Sequence, residues 1–216
     1  MSAQTGEDRV NHPLFARFYV RATSKRNLPE EEAHRRRMVA GLSGTVIEVG
    51  AGNGLNFPFY PATVERVVAV EPESVMRAAA VEAAGAAPVA IEVVAGVAGR
   101  LPADDESFDA GVASLMLCSV PDQARALGEF HRVIRPGGEL RFYEHVIARR
   151  PVAVRLQRVA DATFWPRLLG GCHLTRDTGA AIEAAGFVIE RCERFSFSAG
   201  PPLPPIPHIL GIARRA

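Results

Sequence analysis

From residue 45 onward the chain alternates between short apolar runs and longer stretches in which apolar residues recur every three or four positions. Unbroken apolar runs suit strands buried on both faces, and the stretches between them suit helices packed over those faces. The pattern predicts seven strands, at Thr45–Val49, Arg66–Val70, Ala90–Val94, Phe108–Ala113, Glu139–Val146, Phe187–Phe195 and His208–Arg214. Helices are expected to fill the intervals, among them Ser74–Ala84, Asp122–Ile134 with Leu127, Phe130 and Ile134 turned inward, and Asp177–Ala185 closed by Gly186. Ahead of the first strand, Leu14, Phe15, Phe18 and Tyr19 recur at helical spacing. A second helix starts at Pro29, with Glu30, Glu31 and Glu32 at its positive end and Arg35, Arg36 and Arg37 toward its negative end. That placement explains the arginine run as a solvated helix face, against the alternative of a phosphate-binding patch. The whole pattern is that of a doubly wound α/β fold.

Composition narrows the class. The 216 residues are 48% hydrophobic and 23% charged, enough for one sizeable core, so a single domain spanning 1–216 is expected, with a helical cap over 1–41 and an insertion over 147–176. Twenty-five basic against 24 acidic side chains leave a formal charge of +1, which argues against a nucleic-acid partner. Cys118, Cys172 and Cys192 are odd in number and far apart, with no CxxC or Cys/His pair at zinc spacing, which argues against a disulfide framework and a metal centre. The opening MSAQTGEDRV lacks a basic segment followed by an apolar one, and no run approaches the roughly 18 apolar residues of a spanning helix. A cytoplasmic protein without a membrane span is expected. Pro201–Pro207 reads as a stiff loop between the last two strands, and nothing in the sequence indicates the oligomeric state.

The first strand runs directly into a glycine-rich turn, Glu48-Val49-Gly50-Ala51-Gly52-Asn53-Gly54, and the second ends in Glu71-Pro72. Glycine suits backbone that must turn with positive φ or approach a ligand without a Cβ in the way. A carboxylate at the tip of the next strand suits a ribose diol. A dinucleotide fold would place its third glycine at position 55, which is Leu55, so an NAD-dependent oxidoreductase is disfavoured. The pattern acid-x-Gly-x-Gly-x-Gly resembles the class I S-adenosylmethionine-dependent methyltransferases. Leu101-Pro102 to Asp109 and Arg132 to Gly138 resemble the segments that lead into that superfamily's fourth and fifth strands. The resemblance implies a Rossmann-like sheet ordered 3-2-1-4-5-7-6 with the last strand antiparallel. It also implies S-adenosylmethionine as cofactor, held by Glu48, Gly50, Gly52, Asn53, Gly54, Glu71, Pro72, Ser114, Leu115 and Cys118. Where many relatives carry an acid for the adenine amino group, this chain has Val97, leaving packing and the backbone of Val97 and Ala98 to hold the base.

Four further segments resemble the animal methyltransferase-like alkyl thiol S-methyltransferases: Ser114 to Val120, Phe142 to Val146, Gly170 to Arg176, and Pro207 to Gly211. This resemblance implies a small-molecule acceptor, a thiol or hydrogen sulfide. A quinone, phenol or phospholipid precursor is the alternative acceptor, and a cofactor-binding module without turnover is the alternative class. A thiol with a pKa near 8.5 already supplies some thiolate at neutral pH, so it needs only a weak base or none. His145, closing the fifth strand, is the candidate general base, against a purely structural role at the strand end. Cys118 suits a small buried side chain lining the cofactor pocket better than a nucleophile. Cys172 and His173 are candidate acceptor contacts, with Thr175 or Asp177 as candidate helix caps. Tyr19, with Phe15, Phe18, Phe164 and Trp165, could roof an apolar acceptor pocket or simply fill the core.

Overall fold

A computed structural model describes residues 13–24, 28–198, 200 and 204–216. The opening segment MSAQTGEDRV, part of the 1–41 cap and the first half of the Pro201–Pro207 loop lie outside the described residues. The strands are β1 (Gly44–Val49), β2 (Val64–Val70), β3 (Ala90–Val94), β4 (Phe108–Ser114), β5 (Ile134–His145), β6 (Phe187–Phe197) and β7 (Ile206–Arg215). The helices are α1 (Pro13–Ser24), α2 (Pro29–Val39), α3 (Ser74–Ala84), α4 (Gln123–Val133), α5 (Pro151–Thr163), α6 (Trp165–Leu168) and α7 (Thr178–Ala184). The sheet is ordered β3-β2-β1-β4-β5-β7-β6, parallel through β5, with β7 antiparallel to both β5 and β6. This is the expected topology.

The period of two along each strand divides the core into two faces. Ile47, Val49, Val68, Val70, Leu140 and Phe142 pack on one side with Leu127 and Phe130 of α4 and Ile182 of α7. Val46, Val67, Ala69, Val112 and Tyr143 pack on the other with Met38 and Val39 of α2 and Ala80 of α3. Asp122 caps α4 by accepting from the Arg125 N–H, and Asp177 caps α7 by accepting from the Ala180 N–H.

Two intervals depart from expectation. Between β1 and β2 there is only a 3-10 turn, Phe57–Phe59, because Pro58 and Pro61 deny a helix its backbone donors. Between β3 and β4 there is no helix either, and Val97 instead bridges Arg100. The arginine run is a third correction. Arg36 and Arg37 are exposed, Arg36 lying 4.8 Å over the Phe59 ring and Arg37 pairing with Glu193. Arg35 is buried, because Glu31, His34, Arg35 and Met38 share the i, i+3, i+4, i+7 face that α2 turns to the sheet.

In β6 the register slips between Ile189 and Arg191, and beside the slip the Arg191 carbonyl and the Phe142 ring leave no room for a Cβ on Gly211 of β7. Gly211→Ala is expected to lower stability by about 1–3 kcal/mol, read as a lower urea midpoint at unchanged slope. An unchanged midpoint would mean that the two strands yield freely there.

Candidate active site

A cavity of about 880 Å³ opens at the carboxyl ends of β1, β2, β4 and β5, where the strand order reverses between β1 and β4. Open α/β sheets bind ligands at this place. Gly50, Gly52 and Gly54 all have positive φ, yet they serve differently. A Cβ on Gly50 would strike Met116, and one on Gly54 would strike the Phe57 ring and Ala83, whereas no atom lies within 4 Å of a Cβ at Gly52. Gly50 and Gly52 line the cavity, and Gly54 is a packing glycine behind it.

Glu71 closes the turn. Its Oε2 accepts from the Gly52 N–H at 2.8 Å and its Oε1 from the Glu73 N–H at 2.9 Å. Burial pushes its pKa up to about 7, against the pull of those two amides and of Arg77 and with a push from Glu73. Asn53 donates to Thr23 Oγ1 at 2.9 Å, tying α1 to the turn, while its buried Oδ1 has no partner. Pro72, Val97 and Ala98 line the same half of the cavity.

Glu48 does not line the cavity; it stands one layer back. It accepts from Asn56 Nδ2 and from the Tyr60 hydroxyl, each at 2.7 Å, and burial raises its pKa despite both bonds. Asn56 Oδ1 in turn accepts from Arg35 Nη1 at 2.9 Å, and Arg35 also reaches Ser114 Oγ at 3.2 Å and Glu31 at 2.7 Å. This buried chain links α2 to β1 and β4, and both Arg35 and Asn56 line the cavity. Sequence reasoning missed them; the signal was the apolar-side spacing of Arg35 on α2.

Across the cavity, the segment after β4 hangs from Glu144. Its carboxylate accepts from the N–H groups of Met116 and Leu117 at 2.9 Å and of Cys118 at 3.1 Å. Leu115 takes a φ of 54°, uncommon for a residue other than glycine, and its N–H bonds the Tyr143 carbonyl at 2.7 Å. Ser114, Leu115 and Cys118 line the cavity.

His145, Cys118 and Cys172 meet at the far end. His145 Nδ1 lies 3.2 Å from Cys172 Sγ and 3.7 Å from Cys118 Sγ, and the two sulfurs are 3.6 Å apart. The His173 N–H holds the Cys118 carbonyl at 2.8 Å, and Arg176 holds the carbonyls of Leu117 and Val120. The hydrogen bond between the two thiols, and then His145, draws the Cys172 thiol well below its ordinary range against the effect of burial, while the same bond and burial push Cys118 up. Burial opposes the imidazolium, but the bond to Cys172 prevails and His145 is raised. The absence of metal-ligand spacing in the sequence thus concealed a Cys/His cluster assembled from three separate segments.

His173 itself does not line the cavity; it is half-exposed, with Nδ1 3.9 Å from Asp161. Thr175 bonds Asp161 and does not cap α7. Phe15, Phe18, Tyr19 and Trp165 line the cavity, and Phe164 does not.

A doubly wound sheet whose first strand enters a glycine turn and whose second ends in a buried acid defines an enzyme class that holds a nucleoside cofactor. A family model described as a methyltransferase domain matches residues 47–142. The chain is 36% identical to the thiol S-methyltransferase TMT1B of Rattus norvegicus over 210 residues, 93% of this chain and 82% of that protein. It is 37% identical to the thiol S-methyltransferase TMT1A of Homo sapiens over 186 residues, 80% of this chain and 75% of that protein. A solved S-adenosylmethionine-dependent methyltransferase from Methanosarcina mazei superposes with a TM-score of 0.64 at 20% identity, covering 88% of this chain and 98% of its own. The chain belongs to the S-adenosylmethionine-dependent methyltransferases, in the family that contains TMT1A and TMT1B, and its cofactor is S-adenosylmethionine.

Because the Glu71 pKa is about 7 in the folded protein against an ordinary 4.5, the folded state holds more protons than the unfolded state between those values. Its contribution to stability therefore falls as pH rises from about 4.5 to 7. Glu71→Gln should make the cofactor-free melting temperature decline less steeply than the parent's over that window. Parallel profiles would show that Glu71 titrates normally.

Proposed function

We propose that this enzyme methylates the sulfur of a small thiol or of hydrogen sulfide. When bound, S-adenosylmethionine supplies an electrophilic methyl group on a sulfonium. The residues present fit that cofactor. The Glu71 carboxylate at the tip of β2 suits a ribose diol, with Pro72 beside it. The open space at Gly52, with Gly50 and the unpartnered Oδ1 of Asn53, suits the amino-acid portion. Val97 and Ala98 offer an apolar seat for the base, and Ser114, Leu115 and Cys118 form the opposite wall. Glu48 and Gly54 act as positioning residues, since neither reaches the cavity.

The observation that carries the acceptor assignment is the grouping of Cys118, Cys172 and His145 with Trp165 in the wall of a cavity that Phe15 and Tyr19 also line. Such a wall suits an apolar, polarisable acceptor, and the thiol S-methyltransferases among the relatives support a thiol. With the cofactor bound, Ser114, Leu115 and Cys118 would hold its methyl-bearing end toward the acceptor for an in-line displacement. The acceptor reacts as its thiolate, its proton having gone to solvent, and His145, raised beside Cys172, stabilises that negative charge. Positioning does most of the work, since in-line alignment matters more to methyl transfer than a strong base. His173, lying outside the cavity, orients the segment through its backbone and does not touch the acceptor.

No described helix is long and apolar enough to cross a membrane. Three free cysteines, two of them with sulfurs 3.6 Å apart, suit a reducing compartment and support a cytoplasmic location.

The test is an acceptor panel of alkyl thiols, hydrogen sulfide, phenols, quinols and amino-lipid headgroups, assayed for released S-adenosylhomocysteine. Turnover confined to the sulfur acceptors, with a methyl thioether or methanethiol as product, is the expected result. Turnover of phenols, quinols or amines with silent thiols would overturn the assignment.

A further inference from the structure

We propose that Cys118 Sγ, Cys172 Sγ and His145 Nδ1 form one face of a tetrahedral site for a thiophilic divalent cation of the zinc type, with the fourth position open to the acceptor. Among the described residues these three form the one group of His, Cys and acidic donors close enough to share an ion, all ligand atoms lying within 4.8 Å of one another. With bonds of about 2.3 Å to sulfur and about 2.0–2.1 Å to nitrogen, a tetrahedral centre sets its ligand atoms about 3.8 Å apart for two sulfurs and about 3.6 Å apart for sulfur and nitrogen. The observed edges are 3.6 Å between the sulfurs and 3.2 and 3.7 Å from sulfur to nitrogen.

The supports of the three ligands are also in place. The Cys118 amide is held by Glu144, its carbonyl by the His173 N–H, and the His145 ring packs edge-on against His208 at 4.5 Å between centroids. Ligand geometry fixed from outside in this way is what tunes a metal centre. Three protein donors rather than four is the arrangement of catalytic zinc, in which the remaining position takes water or substrate. All three residues line the cavity, whereas the third cysteine, Cys192, is exposed on β6 and takes no part.

The inference rests on the thiol assignment and deepens it. At the ion the acceptor R–SH ionises: its sulfur donates a lone pair to the cation and its proton leaves to solvent. A second lone pair of the same sulfur then forms the bond to the methyl carbon as the sulfonium bond breaks, leaving that pair on the cofactor's sulfur. The neutral thioether is a poorer ligand than the thiolate, so it departs. In this form His145 keeps its Nε2 proton, and the ion takes over the stabilisation of the thiolate.

The full chain, stripped with chelator and reduced anaerobically, is titrated with Co2+ alone. Expected are one equivalent bound, the visible bands of tetrahedral Co2+, a near-ultraviolet thiolate-to-metal band, and displacement of all of them by Zn2+. Cys192→Ser should retain these spectra. Cys118→Ser and Cys172→Ser, shown to be folded by circular dichroism, should lose the charge-transfer band, and His145→Ala should alter the visible bands. Adding a small alkyl thiol to the cobalt form should intensify the charge-transfer band. A parent without these bands, bands that survive in the Cys118→Ser/Cys172→Ser double variant, or a Cys118–Cys172 disulfide that persists under reduction would overturn the site. A cobalt form indifferent to thiols would overturn its open position. The thiol assignment fails separately, through a silent acceptor panel.

Discussion

A carboxylate taken out of water without partners would be driven to its neutral form or would bring water in with it. Each of β1, β2 and β5 carries such a group near its carboxyl end, and in each case a neighbouring segment supplies the missing hydrogen bonds. Glu48 is met by Asn56 and Tyr60, Glu71 by the amides of Gly52 and Glu73, and Glu144 by the amides of Met116 to Cys118. The dependence is mutual. The segments satisfy the acids, and the acids fix segments that would otherwise present loose backbone to the cavity, including a leucine at positive φ.

This arrangement divides the cavity into two halves with different chemistry. Near β1 and β2 the walls are backbone and polar side chains, Glu71, Glu73 and Asn53 among them, suited to a polar nucleoside and its amino-acid end. Beyond β4 and β5 they are sulfur, imidazole and aromatic rings, suited to a soft and largely apolar acceptor. The two halves meet at Cys118, whose amide hangs from Glu144 and whose thiol faces Cys172. The same buried acid that shapes the cofactor wall therefore also sets the position of the acceptor end.

The parts of this design that depend on local pattern were legible in the sequence. Seven strands appeared as apolar runs, and the three glycines and Glu71 lay in consecutive elements, at the spacing that a nucleoside crevice between the first two strands requires. Features that depend on tertiary proximity were not legible. Arg35 sits in a run of charges that also satisfies the end of a helix, and only the spacing of Glu31, His34, Arg35 and Met38 marks its inward face. Glu144 bonds backbone amides, which leave no trace in side-chain identity. Cys118, His145 and Cys172 come from three segments separated by 27 residues at each step, so no short-range motif joins them. The missing helix after the glycine turn could have been foreseen from Pro58 and Pro61, whose effect was outweighed by the alternation expected of the fold.

The division of the cavity is tested most directly by a crystal structure of the enzyme with S-adenosylhomocysteine. The expected complex has both ribose hydroxyls on the Glu71 carboxylate, the amino-acid end against Gly50 to Asn53, and the thioether sulfur directed toward Cys118, Cys172 and His145. Density for the nucleoside among those cysteines, or outside the crevice between β1 and β4, would contradict it.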